Sequence, residues 1–204
     1  VLSKHWPGAY LGTMIGKTVS HYKIVEKLGE GGMGVVFKAE DTKLKRTVAL
    51  KFLPSQLLSS DEEKERFVNE AQTAAGLSHP GICTIYEINS VDDQTFISME
   101  YIPGTDLEKR LGGEPLEPNE AARIALELCG AVGEAHSRDI VHRDIKPANI
   151  MISEKGRAVL LDFGLAKLRS QSKITKAGTT VGTATYMSPE QIRGEKADQR
   201  SDIW

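Results

Sequence analysis

Short apolar runs, rich in β-branched residues and bounded by turn residues, constrain the fold of this chain most strongly. The runs YKIVEKL, VVFKAE and TVALKFL follow one another between residues 21 and 53, separated by a glycine cluster and by the polar stretch 41–46. Two further runs, ICTIYEI and TFISMEYI, flank a turn at 91–94. Runs of this length between such turns are typical of antiparallel strands. We therefore predict about five strands before residue 102, beginning with a meander.

Helical patterns interrupt and then follow these strands. Ser60 and Glu63 have the spacing of a capping box, and the helix predicted after them ends at Gly76 and Pro80. Its predicted buried face consists of Phe67, Ala71, Ala74 and Ala75. A second helix, predicted over 118–137 as a core helix, carries helically spaced Ala122, Ala125, Leu126, Cys129, Val132 and His136.

The remainder of the second half alternates short strands with polar loops. Strands are predicted at IVH with NIMI, and at AVLLDF. Residues 166–187 are polar, rich in Lys, Ser, Thr and Gly, and lack periodicity, which predicts a long loop that can switch conformation.

Composition excludes several classes of protein. With 26 Lys+Arg against 28 Asp+Glu, the net charge of -2 does not favour nucleic acid or an anionic membrane as the main partner. Cys83 and Cys129 lack metal or redox spacing, so each is expected to be a small core residue. No apolar run reaches the roughly 18 residues of a membrane helix, and no signal peptide is evident, which predicts a cytoplasmic segment.

The two ends of the sequence lack the usual signals. The chain begins at Val1, offers Met14 as an internal start, and stops at 201–204 without a helix stop signal. We therefore expect a fragment whose residues 1–20 form an N-terminal extension.

Two glycine clusters could form phosphate-binding loops, and only the second has the spacing of a known glycine-rich motif. Gly12 and Gly16 enclose three residues where a P-loop needs four, and no helix pattern follows Thr18. The second cluster, GEGGMGVV at residues 29–36, fits G-x-G-x-x-G-x-V. A dinucleotide fold would need a helix directly after it, whereas VVFKAED is a strand pattern. The glycines are therefore predicted to cap a β-hairpin whose amides can approach an anionic ligand.

Charged residues stand where apolar ones would pack better. Lys51 lies inside a predicted strand and needs an acid such as Glu70, or a phosphate, unless its ammonium reaches solvent. Within the apolar run 141–152 the chain places polar side chains that include Asp144 and Asn149, and Asp162 follows the next strand. Such oxygen ligands and bases at strand ends predict a site for a hard cation and a phosphate.

These motifs together resemble the eukaryotic-like (Hanks-type) serine/threonine protein kinases, in particular those of bacteria. The ordered signatures are the Gly-rich loop, V-A-L-K, the helix glutamate, H-R-D-I-K-P-A-N, D-F-G and S-P-E, between residues 28 and 204. The resemblance implies an α+β, two-lobed protein kinase-like fold. It implies a small antiparallel β lobe with one helix over 21–101, and a mainly helical large lobe, incomplete here, over 102–204.

The resemblance also assigns roles to single residues. Lys51 would hold the α- and β-phosphates of ATP and pair with Glu70, while Asn149 and Asp162 would hold Mg²⁺, with Mn²⁺ as an alternative. Asp144 would orient the acceptor hydroxyl, and Lys146 would neutralise the γ-phosphate. The implied nucleotide-binding residues are Leu28, Gly29, Gly31, Gly34, Val36, Ala49, Lys51, Met99, Glu100, Ile102, Asp106 and Met151.

Further residues gain a role only through the same resemblance. Thr183 would bridge Asp144 and Lys146. The presence of both Thr183 and Lys146 points to serine and threonine as the acceptors. His142 and Phe163 would stack as core. Arg143 would receive a phosphate on the activation loop, where Thr175, Thr179 and Thr180 are the candidate sites, and self-association would serve autophosphorylation.

Two other classes of function compete with a protein kinase. A pseudokinase that binds nucleotide or partners without transferring phosphate would be indicated by loss of Lys51, Asp144, Asn149 or Asp162, and all four are present. A small-molecule phosphotransferase of kinase-like fold would lack the segment ending in S-P-E at residues 188–190. The chain as it stands is expected to be inactive, because a single helical turn at 201–204 would place Asp202 poorly to hold the 142–144 turn.

Overall fold

The computed structural model describes residues 14–32, 34–58, 60–92, 94–163 and 185–204. The chain divides into two compact units. The first unit contains the described residues up to Lys64 together with Ile85–Tyr101, and the second contains Glu65–Thr84 with the described residues from Ile102 onward.

A six-stranded antiparallel sheet forms the first unit. Its strands are β1 (Thr18–Val19), β2 (Tyr22–Gly31), β3 (Gly34–Asp41), β4 (Arg46–Phe52), β5 (Ile85–Val91) and β6 (Gln94–Glu100). They are arranged in the order β1-β2-β3-β4-β6-β5. The predicted meander is confirmed as β2, β3 and β4, and the hairpin around 91–94 is confirmed as β5 and β6. In this unit the sequence patterns missed β1, because two residues are too few to show alternation.

The core of this unit explains why the sheet holds its register. Val35, Phe37 and Ala39 alternate inward along β3, and a one-residue slip would turn all three outward. Met14 is buried in the same core, and β1 pairs with β2. The sheet and its core therefore begin before residue 21, within the predicted N-terminal extension.

A buried carboxylate organises the turn between β3 and β4. Asp41 is 1% exposed, and its Oδ1 accepts hydrogen bonds from the backbone amides of Lys43 (3.0 Å) and Leu44 (2.9 Å). Burial alone would raise the pKa of Asp41, but these two amides, with His21 and Arg46, lower it below its ordinary value. The ionised form of Asp41 is therefore the form that the folded turn favours.

Helix α1 (Asp61–Ala75) begins in the first unit and lies mostly in the second. The predicted capping box is confirmed, because the Ser60 amide donates to Glu63 Oε2 (3.1 Å) and the Glu63 amide donates to Ser60 Oγ (3.2 Å). Phe67, Ala71 and Ala74 are buried as predicted. Ala75 is exposed, since it lies one residue beyond the buried stripe in the last turn.

The described part of the second unit combines helices with a small sheet. The helices after α1 are α2 (Leu107–Leu111), α3 (Pro118–His136) and α4 (Pro189–Ile192). Strands β7 (Gly104–Asp106), β8 (Ile150–Ser153) and β9 (Ala158–Leu160) pair antiparallel in that order. β8 and β9 confirm the predictions for NIMI and AVLLDF, whereas residues 140–142 form no strand. Short 3₁₀ turns cover Pro147–Asn149 and Gln199–Asp202. No helix among the described residues is long and apolar enough to span a membrane.

Helix α3 has the predicted extent but buries a different face. Its buried residues are Ile124, Ala131 and Ala135, while Leu126 is 74% exposed. Ala122, Ala125 and Cys129 are also exposed, so the prediction that Cys129 is a core residue is wrong, whereas Cys83 is buried. Because α3 carries apolar residues on more than one side, helical spacing alone could not show which side packs against β9.

Candidate functional site

The glycine cluster forms the tip of a hairpin in the first unit, as predicted. Gly31 on β2 pairs with Gly34 on β3, and a Cβ added at Gly29 or Gly31 would meet nothing within 4 Å. Gly34 differs because its φ is +115° and an added Cβ would lie 2.9 Å from the carbonyl carbon of Phe52 and closer still to its oxygen. Gly34 therefore fits the hairpin against β4, while the other two glycines leave its backbone open to a ligand.

The predicted nucleotide residues of the first unit lie on adjacent strands of one sheet. Val36 on β3 pairs with Lys51 on β4, and Ala49 on β4 pairs with Met99 on β6. Lys51 is only 4% exposed. Since a buried ammonium is costly unless an anion accompanies it, this position suits a residue that binds phosphate or a carboxylate. The remaining predicted residues of this set are Leu28 on β2, which is partly exposed, and Glu100 at the end of β6.

Three of the predicted catalytic side chains meet in the second unit. Lys146 Nζ donates to both carboxylate oxygens of Asp144, at 3.1 and 2.9 Å. Asn149 Nδ2 donates to the Asp144 carbonyl (2.8 Å) and to its Oδ2 (3.0 Å). Asn149 is 8% exposed and lies in the 3₁₀ turn Pro147–Asn149. Because the amide nitrogen is turned toward Asp144, the amide oxygen is the atom of Asn149 that suits a hard cation.

His142 holds the backbone of this loop from the inside. Its Nε2 lies 2.7 Å from the Leu161 carbonyl and its Nδ1 accepts from the Asp144 amide (3.2 Å), so the hydrogen is on Nε2. Burial lowers the pKa of His142, which keeps the ring neutral. The ring also packs edge-to-face against Phe163, with centroids 4.6 Å apart. His142 is thus a structural residue, as the resemblance implies.

Two residues of the site have unusual backbone conformations. Arg143 and Asp162 have φ of 67° and 63°, a region that side chains other than glycine seldom adopt. The Leu161 amide, just before Asp162, donates to the Asn149 carbonyl (2.8 Å) and so links the two loops. Local strain of this kind persists only where surrounding contacts enforce it, and it concentrates at functional sites.

Asp202 supplies one set of those contacts. Its Oδ2 accepts from the His142 amide (2.8 Å) and lies 2.8 Å from His136 Nε2, while its Oδ1 accepts from the Arg143 amide (2.6 Å). The expectation that Asp202 would be poorly placed is therefore wrong. The predicted single helical turn at 201–204 is also absent, because the 3₁₀ turn Gln199–Asp202 carries Asp202 inward instead.

The segment 188–192 contributes a residue that the sequence patterns missed. Ser188 caps α4, and the Oε1 of Gln191 accepts from the Ser188 amide (3.0 Å). Gln191 Nε2 also donates to the Arg143 carbonyl (2.7 Å). The spacing of Ser188 and Gln191 is that of a capping box and could have predicted the first contact. No local pattern could have predicted the second, which joins residues far apart in sequence.

The remaining predicted site residues are dispersed. Asp106 caps α2 by accepting from the Lys109 amide (2.8 Å), forms an ion pair with Lys109 Nζ (2.7 Å), and pairs with Met151 across β7 and β8. Ile102 is buried in the second unit, and Glu70 lies half-buried on α1. The pairing of Lys51 with Glu70 stays a prediction. Thr175, Thr179, Thr180 and Thr183 lie outside the described residues.

Comparison with known proteins assigns the chain to a family. Residues 22–204 match the protein kinase domain family. The serine/threonine-protein kinase PrkC of Bacillus subtilis is 42% identical over 193 residues, which cover 94% of this chain and 30% of that protein. The serine/threonine-protein kinase PknD of Mycobacterium tuberculosis strain H37Rv is 38% identical over 193 residues, which cover 93% of this chain and 29% of that protein.

A solved structure agrees with the sequence relatives. The PknI kinase domain of M. tuberculosis superposes with a TM-score of 0.74 at 31% identity, covering 92% of this chain and 69% of that one. The resemblance inferred from the motifs and the predicted fold class are thereby confirmed. The chain belongs to the protein kinase family, and the relatives it matches are bacterial serine/threonine-protein kinases.

Proposed function

We propose that this chain transfers the γ-phosphoryl group of ATP to serine and threonine hydroxyls of proteins. The observation that carries the proposal is the Asp144 carboxylate, which lies 2.9 Å from Lys146 Nζ and 3.0 Å from Asn149 Nδ2 on a loop fixed by Asp202. A carboxylate anchored in this way can accept a hydrogen bond from an acceptor hydroxyl and orient its oxygen. The names of the relatives support the same activity for this chain.

In the proposed reaction, the acceptor oxygen forms a bond to the γ-phosphorus as the bond to the ADP oxygen breaks. The hydroxyl proton passes to Asp144 and from there to solvent. Lys146 neutralises charge on the moving phosphoryl group, because its ammonium lies beside the carboxylate that receives the hydroxyl. Positioning and charge compensation by such groups account for most catalysis of phosphoryl transfer.

Nucleotide binding is proposed for residues of both units, each taken separately. The open hairpin around Gly29 and Gly31 would cover the phosphates with backbone amides, and Lys51 would bind the α- and β-phosphates. In the first unit, the residues proposed to contact adenine are Val36, Ala49 and Met99. The Asp106 carboxylate already pairs with Lys109 Nζ and accepts from the Lys109 amide at the start of α2, so a hydrogen bond to the ribose would be additional to these two contacts.

Divalent metal use is general in this family, and Mg²⁺ fits the available donors, with Mn²⁺ as an alternative. The proposed ligands are the Asn149 amide oxygen and the Asp162 carboxylate, both oxygen donors of the kind that Mg²⁺ prefers alongside phosphates and water. When bound, the metal would neutralise phosphate charge. The φ of 63° at Asp162 supports this role, because strained backbone is typical of ligand sites.

Activation-loop autophosphorylation is a separate proposal, with self-association of two copies as its route. The Nε of Arg143 is buried and has no hydrogen-bond partner among the described residues. A phosphothreonine at 175, 179 or 180 could supply oxygens to this guanidinium. Incubation with Mg·ATP followed by mass spectrometry should detect phosphate between residues 165 and 180, and Arg143→Ala should reduce the activation that accompanies it. Unmodified threonines would exclude the idea.

Substitution of two groups with different roles tests the proposed function. Asp144→Asn removes the carboxylate that accepts the hydroxyl proton, and Lys51→Met removes the ammonium that binds the phosphates. Each substitution should therefore lower kcat/KM by several powers of ten. Asp139→Asn is the matched control for removing a carboxylate, because Asp139 lies at an exposed turn before residues 142–149, here called the catalytic loop; it should retain wild-type activity. Activity above about a tenth of wild type in either site variant would contradict the assignment. A pseudokinase scaffold would bind nucleotide but transfer no phosphate even as wild type.

A further inference from the structure

Gln191 uses both ends of its side-chain amide within the second unit. Its Oε1 accepts from the Ser188 amide (3.0 Å), which completes the capping box of α4. Its Nε2 donates to the Arg143 carbonyl (2.7 Å), in the catalytic loop. One short side chain thus connects the start of α4 to the residue before Asp144.

The carbonyl that Gln191 binds belongs to the peptide between Arg143 and Asp144. The amide of that same peptide donates to His142 Nδ1 (3.2 Å). Both polar groups of the peptide that leads into Asp144 are therefore fixed, the oxygen by Gln191 and the nitrogen by His142. The preceding amide, that of Arg143, is fixed by Asp202 Oδ1 (2.6 Å).

These hydrogen bonds fix the backbone next to a strained residue. Arg143 has a φ of 67°, a strained conformation for a residue with a side chain that relaxes unless neighbours hold it. Rotation of the peptide after Arg143 would move the Asp144 Cα and its carboxylate together. A displacement of about 1 Å at a reacting group can cost on the order of 100-fold in rate.

We propose that Gln191 is a positioning residue that sets the orientation of Asp144 through the Arg143 carbonyl and couples it to the 188–192 turn. The proposal rests on the proposed function, because a rate of phosphate transfer is what the coupling would change. A role as helix cap alone is the competing explanation. The two can be separated because glutamate completes a capping box as well as glutamine does but cannot donate to a carbonyl.

The test compares Gln191→Glu, Gln191→Met and Gln94→Glu in the full-length protein. Gln94 is the matched control, since its Nε2 also donates to a backbone carbonyl, that of Leu53 (2.5 Å), in the first unit. We expect kcat for phosphorylation of casein to fall about 10- to 100-fold in both Gln191 variants. We expect the KM for ATP to stay within about twofold, because a transition-state interaction is lost without loss of nucleotide binding. Gln94→Glu should keep the wild-type kcat.

Several results would overturn the proposal. These are a wild-type kcat in Gln191→Glu, which would leave only a role as helix cap, a wild-type kcat in Gln191→Met, which would attribute any fall in Gln191→Glu to the added charge, and an equal fall in Gln94→Glu. If Gln191→Glu does not fold, Ser188→Ala replaces it, because it removes the capping hydroxyl and leaves the Gln191 amide that donates to Arg143. A fall in Ser188→Ala as large as that in Gln191→Met would then leave only a role as helix cap. Failure of the wild-type protein to phosphorylate casein would instead refute the proposed function, so the two failures are distinguishable.

Discussion

Gly34→Ala should destabilise the first unit far more than alanine at either of the other two glycines of the motif. At φ +115° a side chain is strained by about 1–3 kcal/mol. The new Cβ would also lie 2.9 Å from the Phe52 carbonyl carbon, and relieving that overlap by backbone movement costs about 1–3 kcal/mol more. Alanine returns about 0.4–1 kcal/mol by restricting the unfolded chain.

The net loss is therefore about 1–5 kcal/mol, against a total stability of about 5–15 kcal/mol. A mid-range loss of about 3 kcal/mol would lower Tm by about 6–12 °C in a chain of this size. Gly29→Ala is the matched control, because its Cβ would meet nothing within 4 Å and its φ is not positive. Thermal unfolding followed by circular dichroism measures both variants. Equal melting temperatures for Gly34→Ala and Gly29→Ala would refute the steric argument.

Two further predictions concern buried carboxylates. Asp202→Ala should orphan two backbone amides at about 1–3 kcal/mol each and lower kcat. Glu195→Ala is the control, because this exposed carboxylate pairs with the exposed Arg193 at 3.7 Å, and it should do neither. Equal denaturant midpoints for the two variants would contradict this. The lowered pKa of Asp41 means that its stabilisation is complete above its ordinary pKa of 3.8 and is lost as pH falls through the lower folded-state value. Asp41→Asn should therefore weaken the acid dependence of the unfolding free energy at pH values below the ordinary pKa of 3.8, and an unchanged dependence would exclude this role.

The sequence was most informative where local pattern and tertiary structure agree. Strands β2 to β6 follow from short apolar runs between turns, and the start of α1 follows from the capping box at Ser60. A site that includes Asp144 and Asn149 was predicted from polar residues in an apolar run, and the roles of these residues and of Lys146 came from the resemblance to protein kinases. The structure brings these three side chains together. In each case the signal lies within a few neighbouring residues.

The sequence failed where a choice depends on distant residues. Helix α3 is apolar on more than one side, so spacing could not show that Ile124 and Ala135 are buried while Leu126 is exposed. Strand β7 exists only through pairing with β8, which follows it by more than forty residues. The contacts of Gln191 and Asp202 with the Arg143 peptide likewise join segments that no local pattern relates.

The chemical identity of the phosphorylated residue tests the central claim most directly. The wild-type protein would be incubated with γ-³²P-ATP, Mg²⁺ and casein, and the labelled casein hydrolysed for phosphoamino-acid separation. The account predicts label in phosphoserine and phosphothreonine, and its loss with Asp144→Asn, because the carboxylate beside Lys146 orients the hydroxyl that accepts the phosphoryl group. Label confined to phosphotyrosine, label that Asp144→Asn retains, or transfer to an aminoglycoside and not to protein would contradict it.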